Sequence, residues 1–169
     1  QHANDSLRNW IALRQVDPIV ERDVTAVDPE ALRKQLRLER GELDLLAGGP
    51  PCQSFSLIGK RGSLADPRGM LLFEMVRFAK TFRPRAILIE QEKGLRSAAT
   101  VDGGRGSVLE KLLEDLAALG YATSAKVLRA SDYGVAQHRE RLFIIGLHGR
   151  EKPDFPSQTH RDGRPKKSL

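Results

Sequence analysis

Short apolar runs separated by stretches of helical period constrain this chain more than any other feature. Leu43 to Ala47 is one such run, closed by Gly48, Gly49, Pro50 and Pro51. Ala86 to Ile89 is a second, with Glu90 at its exit, and Tyr121 to Leu128 and Arg141 to Leu147 read as two further strands. Strands buried on both faces are written as continuous apolar runs, whereas a strand with one wet face alternates. Between the runs, Met70 to Phe82 has helical periodicity and ends at Pro84, and Val108 to Leu119 is strongly amphipathic with Gly120 in the C-cap position. Asp28-Pro29-Glu30 reads as an N-cap, a first-turn proline and an early acid, opening a helix to about Glu39. Further upstream, Ala3 to Leu13 suits an amphipathic helix and Ile19 to Val24 a short strand. The alternation predicts a parallel α/β sheet, in which reactive groups gather at the carboxyl ends of the strands. Gly59 to Gly69, Val101 to Gly106 and Ser131 to Glu140 read as loops, and the polar tail from Gly149 as extended or partly disordered.

With 169 residues the chain is long enough for one domain with a sizeable core. No apolar run approaches a membrane span, and the N-terminus lacks the basic-then-apolar layout of a secretory signal. One cysteine rules out an internal disulfide framework and a four-cysteine zinc site, so a reducing, intracellular setting is the natural reading. The four histidines show no metal-ligand spacing with one another or with Cys52, so no metal is assigned. Lys and Arg total 28 against 22 Asp and Glu, a formal charge of +6 that suits a polyanionic partner. The chain begins without methionine, in residues that read like the middle of a helix, which is the pattern of a piece of a longer chain.

Pro50-Pro51-Cys52-Gln53 is the first place where chemistry concentrates. Two prolines stiffen the backbone just after a buried strand, and the two preceding glycines permit close approach. A cysteine on such a loop suits a nucleophile. Taken alone, Cys52 reads better as one more buried thiol, because free cysteine is among the most buried residue types.

The surrounding residues resolve the choice. LDLLAGGPPCQSFSLIGKRG closely resembles the Pro-Cys signature of the DNA cytosine-5 methyltransferases, and FRPRAILIEQEKGL resembles that family's strand ending in Glu-Asn-Val. LRASDYGVAQHRERLFIIG resembles its Gln-x-Arg-x-Arg segment, and DPRGMLLFEMVRF the helix between the first two. All four occur in the family's order, over about Ile19 to His160. The fold implied is the Rossmann-like α/β sheet of S-adenosylmethionine-dependent methyltransferases, with helices on both faces, incomplete at its N-terminal strand. The domain division implied is a partial catalytic domain over 1–148. A polar tail over 149–169 leads toward an absent target-recognition region.

The resemblance also implies roles. Cys52 corresponds to the thiolate that attacks carbon 6 of cytosine and makes carbon 5 enamine-like. Glu90 corresponds to the acid that relieves charge at the ring N3, a task for which a buried strand terminus would raise its pKa. Arg139 and Arg141 correspond to the cations at the base and its phosphate, with Arg141 favoured for the base and Arg139 for bracing the loop. Asp23 and Val24 match the adenine-side contacts of S-adenosylmethionine, and Leu71 an apolar contact to it. Gln53, Ser54 and Ser56, on the loop that closes on DNA, and Arg68 are the implied DNA contacts. The target base would be rotated out of the duplex. A bacterial restriction–modification enzyme, cytoplasmic and nucleoid-associated, with double-stranded DNA as partner, is the implied setting.

Three departures from the pattern stand out. The Phe-x-Gly-x-Gly loop that cradles the cofactor's methionine end is absent, as is the acid that grips its ribose. The chain stops soon after FPSQTH, before a target-recognition domain. Gln91-Glu92 replaces Asn-Val, whose asparagine helps fix the Pro-Cys loop, which puts loop position and Glu90 ionisation at issue. Two alternatives to a self-sufficient enzyme therefore stay open: a split enzyme completed by a partner chain, and a non-catalytic remnant. RNA methylation is disfavoured by the PPCQSFS form of the loop.

Overall fold

The computed structural model describes residues 23–51, 67–99, 104–161 and 164–165. A turn of 3-10 helix at Val24–Ala26 leads into α1 (Pro29–Gln35), β1 (Leu45–Gly48), α2 (Pro67–Phe82) and β2 (Ala86–Glu92). A second 3-10 segment, Lys93–Ser97, precedes α3 (Ser107–Ala118) and β3 (Tyr121–Arg129). A third, Ala130–Tyr133, precedes β4 (Glu140–His148), and β5 (His160–Arg161) and β6 (Arg164–Pro165) form a small antiparallel pair.

The main sheet has the order β1-β2-β4-β3. β1 pairs parallel to β2, but β4 runs antiparallel to both of its neighbours. The all-parallel sheet expected from the apolar runs is thus corrected to a mixed one. A parallel return needs a crossover of a dozen or more residues, usually a helix. The link from β3 to β4, residues 130–139, holds only one short 3-10 segment and brings the chain straight back as an antiparallel neighbour.

Register assigns each strand residue to a face. Ile87, Ile89 and Gln91 of β2 stand beside Gly146, Ile144 and Leu142 of β4, and all point to the core face. Both long helices pack there. Leu72, Met75, Ala79 and Phe82 of α2 are buried, spaced by three and four residues; Val108, Leu112 and Leu116 of α3 are fully buried at intervals of four. Each such aliphatic side chain stabilises the fold by roughly 1.5–3 kcal/mol relative to exposure. Beneath them Tyr121 is 3% exposed and donates its hydroxyl to the Pro84 carbonyl at 2.7 Å.

Several boundaries move from their sequence-based positions. α1 stops at Gln35 rather than Glu39, because Arg37 takes a left-handed φ of 55°. Val24 belongs to a 3-10 turn rather than the expected strand, whose remaining residues up to 22 lie outside the described residues, as does the Ala3–Leu13 helix. α2 begins at Pro67, so the backbone of Arg68 is helical and not on the loop expected over Gly59 to Gly69; proline's fixed φ suits a first helical turn. The tail is extended but fastened: Gln158 donates to Asp132, Thr159 N–H to the Asp132 carbonyl, and Tyr133 to the Pro156 carbonyl. No described helix is long and apolar enough to cross a membrane.

Candidate active site

The end of β2 is the structural centre of the site. Because side chains alternate along a strand, consecutive residues there serve opposite faces. Glu90 points away from the helices. On the same face, diagonally across the β2–β4 ladder, Arg141 places Nε 2.9 Å from Glu90 Oε1. The Glu90 side chain is 39% exposed and that of Arg141 24%. The burial expected around Glu90 is therefore replaced by a half-open ion pair. A Cβ on Gly49 would lie 3.1 Å from the other carboxylate oxygen of Glu90, so bare backbone just after β1 packs against this acid.

Gln91 points the other way, into the core, and is 2% exposed. Its Nε2 donates to the carbonyl of Pro50 at 2.7 Å. The replacement of asparagine by glutamine thus leaves an anchor on the Pro-Cys segment, which the extra methylene carries across. Its Oε1 is buried without a hydrogen bond among the described residues.

Arg139 and Arg141 are separated by Glu140, and alternation divides their surroundings. Glu140 accepts from Lys93 at 2.6 Å and from Arg129 at 2.9 Å, joining the exits of β2 and β3 to the start of β4. Those two cations, Lys93 first, hold the Glu140 carboxyl below its ordinary value of 4.5. Arg141 also donates to the Glu140 carbonyl at 2.8 Å. The Arg139 carbonyl accepts from Ala130 N–H at 2.9 Å, and its exposed side chain makes no hydrogen bond among the described residues. Sequence reasoning flagged Gln91 as standing in for a loop-fixing asparagine without assigning it the bond, and did not single out Glu140 as a clamp, although Glu140 lies inside the Gln-x-Arg-x-Arg segment itself.

The turn that carries Asp23 and Val24 is tied to α2. Arg77 donates to the carbonyls of Val24 and Val27, both at 2.8 Å, and pairs with Glu74 one turn back on the helix. Asp23 caps the Val24–Ala26 turn: its Oδ1 accepts from Thr25 N–H at 2.9 Å and from the Thr25 hydroxyl at 2.7 Å, which holds its carboxyl below the usual value. Val24 is 37% exposed, and Leu71 is half-buried near the start of α2. Cys52, Gln53, Ser54 and Ser56 lie outside the described residues, as does the side chain of Arg68. No group of three or more His, Cys, Asp or Glu able to hold a metal occurs among the described residues.

Residues 10–168 match the family of C-5 cytosine-specific DNA methylases. The chain belongs to that family. The Type II methyltransferase M.AquIA of Picosynechococcus is 36% identical over 161 residues, covering 90% of this chain and 63% of that protein. M.AgeI of Thalassovita gelatinovora is 39% identical, covering 83% of this chain and 32% of its own length. This methylase chain thus spans less than two-thirds of those relatives. Among solved structures, the Entamoeba histolytica methyltransferase EhMeth superposes with a TM-score of 0.66 at 15% identity, over 90% of this chain and 45% of that one. Spodoptera frugiperda DNMT2, as a triple mutant, gives 0.61 at 18% identity, over 92% and 45%. At these identities the structural likeness establishes the methyltransferase-type α/β fold.

Proposed function

We propose that this chain supplies the catalytic core for methylating carbon 5 of cytosine in double-stranded DNA, through a covalent adduct on Cys52. The observation that carries the reading is the Glu90–Arg141 pair at the carboxyl end of β2, against the Gly49–Pro50 backbone that leads to Cys52. A cytosine entering this edge would meet an acid and a cation already aligned. Attack by the Cys52 thiolate forms a bond to carbon 6 and sends an electron pair toward carbon 5 and N3. Glu90 donates a proton at N3, and Arg141 stabilises the developing charge at the base's O2. Once carbon 5 carries the methyl group, loss of its proton to solvent re-forms the double bond to carbon 6 and expels Cys52 as thiolate, and the N3 proton returns to Glu90. Arg139 braces the loop beside the base, with its exposed guanidinium turned toward the neighbouring phosphate as the second role its motif allows. Gln53, Ser54, Ser56 and Arg68 complete the DNA contacts.

S-adenosylmethionine, when bound, supplies the methyl group. Asp23, Val24 and Leu71 fit its adenine side: Asp23 keeps one carboxylate oxygen outside its cap hydrogen bonds, and Val24 offers exposed apolar surface. The catalytic domain is assigned to 1–148 and the tail 149–169 to the approach toward a target-recognition region. A complementing chain carrying the remaining cofactor loop and recognition residues would complete the enzyme. The bacterial Type II relatives support a restriction–modification role, and the setting proposed for it is the cytoplasm, on nucleoid DNA.

Covalent trapping tests the proposal. The chain, alone and with a complementing segment, is incubated with S-adenosylmethionine and a duplex containing 5-fluorocytosine. Fluorine cannot leave as a proton does, so a stable adduct that disappears in Cys52→Ala is expected. No adduct under either condition would overturn the reading in favour of a non-catalytic remnant.

A further inference from the structure

On the opposite face of the sheet edge from the Glu90–Arg141 pair lies an open groove of about 930 Å³. It is bounded by the exit of β2, the start of α3 and the ends of β3 and β4. Its charged lining consists of Lys93, Arg96, Arg105 and Arg129 against Asp132 and Glu140. Both acids are already engaged: Glu140 holds Lys93 and Arg129, and Asp132 accepts from Gln158 at 2.8 Å. Arg96 and Arg105 are exposed and have no carboxylate partner among the described residues. Over the described lining four cations therefore face two carboxylates, and Arg96 and Arg105 are the two that no carboxylate pairs, backed by the two cations that Glu140 fixes in place.

Among the described residues of this lining, Val127 is the one aliphatic side chain. Small-molecule sites are predominantly apolar with a few polar groups, and this groove is the reverse. Guanidinium groups carry a planar fork of donors that matches phosphate oxygens, and phosphate contacts set a protein's register on a duplex. Glu140 is the residue between Arg139 and Arg141, so groove and reactive edge share the start of β4.

We infer that this groove seats the sugar–phosphate backbone of the duplex next to the target base, with Arg96 and Arg105 contacting phosphates directly. The inference rests on the proposed DNA methylation and adds a second anchoring surface, distinct from the residues assigned to contact DNA there. The clamp on Glu140 makes the anchor rigid relative to Arg141. A phosphate bound in the groove would then fix where the flipped base meets the acid.

The test is fluorescence anisotropy of a mixed-sequence 30-base-pair duplex over a salt series, comparing the wild-type protein with the double variant Arg96→Gln/Arg105→Gln. Each phosphate contact contributes about 0.9 to the slope of log K against log salt, so removing two should make the slope shallower by about 1.8. At about 0.1 M salt, binding should weaken by roughly ten- to sixtyfold. Arg96→Lys/Arg105→Lys should restore most of the slope. Arg83→Gln/Arg150→Gln removes the same charge at the opposite end of the strands and should shift the slope far less. An unchanged slope in the Arg96/Arg105 variant, or an equal loss in the Arg83/Arg150 control, would overturn the inference. Either result with wild-type 5-fluorocytosine trapping intact sinks the groove alone. A wild-type protein that neither binds the duplex nor traps would sink the methylation reading, and the groove with it.

Discussion

The side-chain amide of Gln91 donates to the backbone carbonyl of Pro50 at 2.7 Å, fastening the last part of β2 to the segment that leads into Cys52. The residue is 2% exposed, so this bond is sheltered from water and has no ready replacement. Gln91→Ala should cost about 1–3 kcal/mol of stability, since the Pro50 carbonyl loses its partner and a cavity opens. The 5-fluorocytosine adduct should form at least about tenfold more slowly, because the nucleophile's loop is no longer held. Rapid-quench trapping reads this directly. An adduct rate equal to wild type would mean that Gln91 only fills space.

Glu90→Gln retains shape and hydrogen bonding but cannot hand over a proton as a carboxylic acid does. It should lower the methylation rate by about 10²–10⁴-fold with little effect on folding. Arg141, losing its 2.9 Å partner, should stay on the same face because it also donates to the Glu140 carbonyl. Single-turnover methylation of a duplex checks this, alongside thermal unfolding. A variant that methylates within about threefold of wild type would remove Glu90 from the proton transfer.

Glu140 links stability to acid. Its folded-state carboxyl titrates below its ordinary 4.5, first through the hydrogen bond from Lys93 and then through that from Arg129. A carboxyl depressed by folding contributes stability that is fully present above the unfolded value and is lost as pH falls through the folded one. Glu140→Gln should therefore unfold at a lower temperature than wild type at pH 7. The gap should close as pH falls below 4.5. Melting curves from pH 7 to about pH 3 decide it, and a constant gap across that range would refute the linkage.

Tyr121 tests the core far from the reactive edge. Burial pushes its phenol up to about 12 from an ordinary 10.0, and its hydroxyl donates to Pro84. The contribution is complete below pH 10 and falls as pH rises toward 12, because the unfolded phenol ionises first. Tyr121→Phe should cost about 0.5–1.5 kcal/mol at neutral pH and flatten the loss above pH 10, leaving adduct formation unchanged. Denaturant titrations at several pH values measure both, and a slower adduct would show coupling to the site.

Much of the fold was legible because it depends on local rules. Gly120, at φ 90°, ends α3 where the sequence places the cap. Asp28 accepts from Glu30 N–H and Pro29 opens α1, as their order predicts. The antiparallel course of β4 was not legible, since Arg141 to Leu147 reads the same whichever way the strand runs beside its neighbours. In the site, Glu90 and Arg141 were readable through motif resemblance. The same resemblance pointed to position 91 as one that fixes the loop, but whether glutamine keeps that anchor was not readable, because the bond joins residues 41 apart across two strands.

By itself the sequence determined the elements, the family and the residue types at the reactive edge, because periodicity, caps and motifs are written in neighbouring positions. Tertiary structure alone decided which of those residues meet. Alternation along β2 sends Glu90 to one face and Gln91 to the other, and the register with β4 gives Glu90 its arginine. The same register turns Glu140 toward Lys93 and Arg129 and leaves Arg96 and Arg105 facing an open groove. Such pairings depend on strand order and direction, which are set by how the whole chain buries its apolar surface.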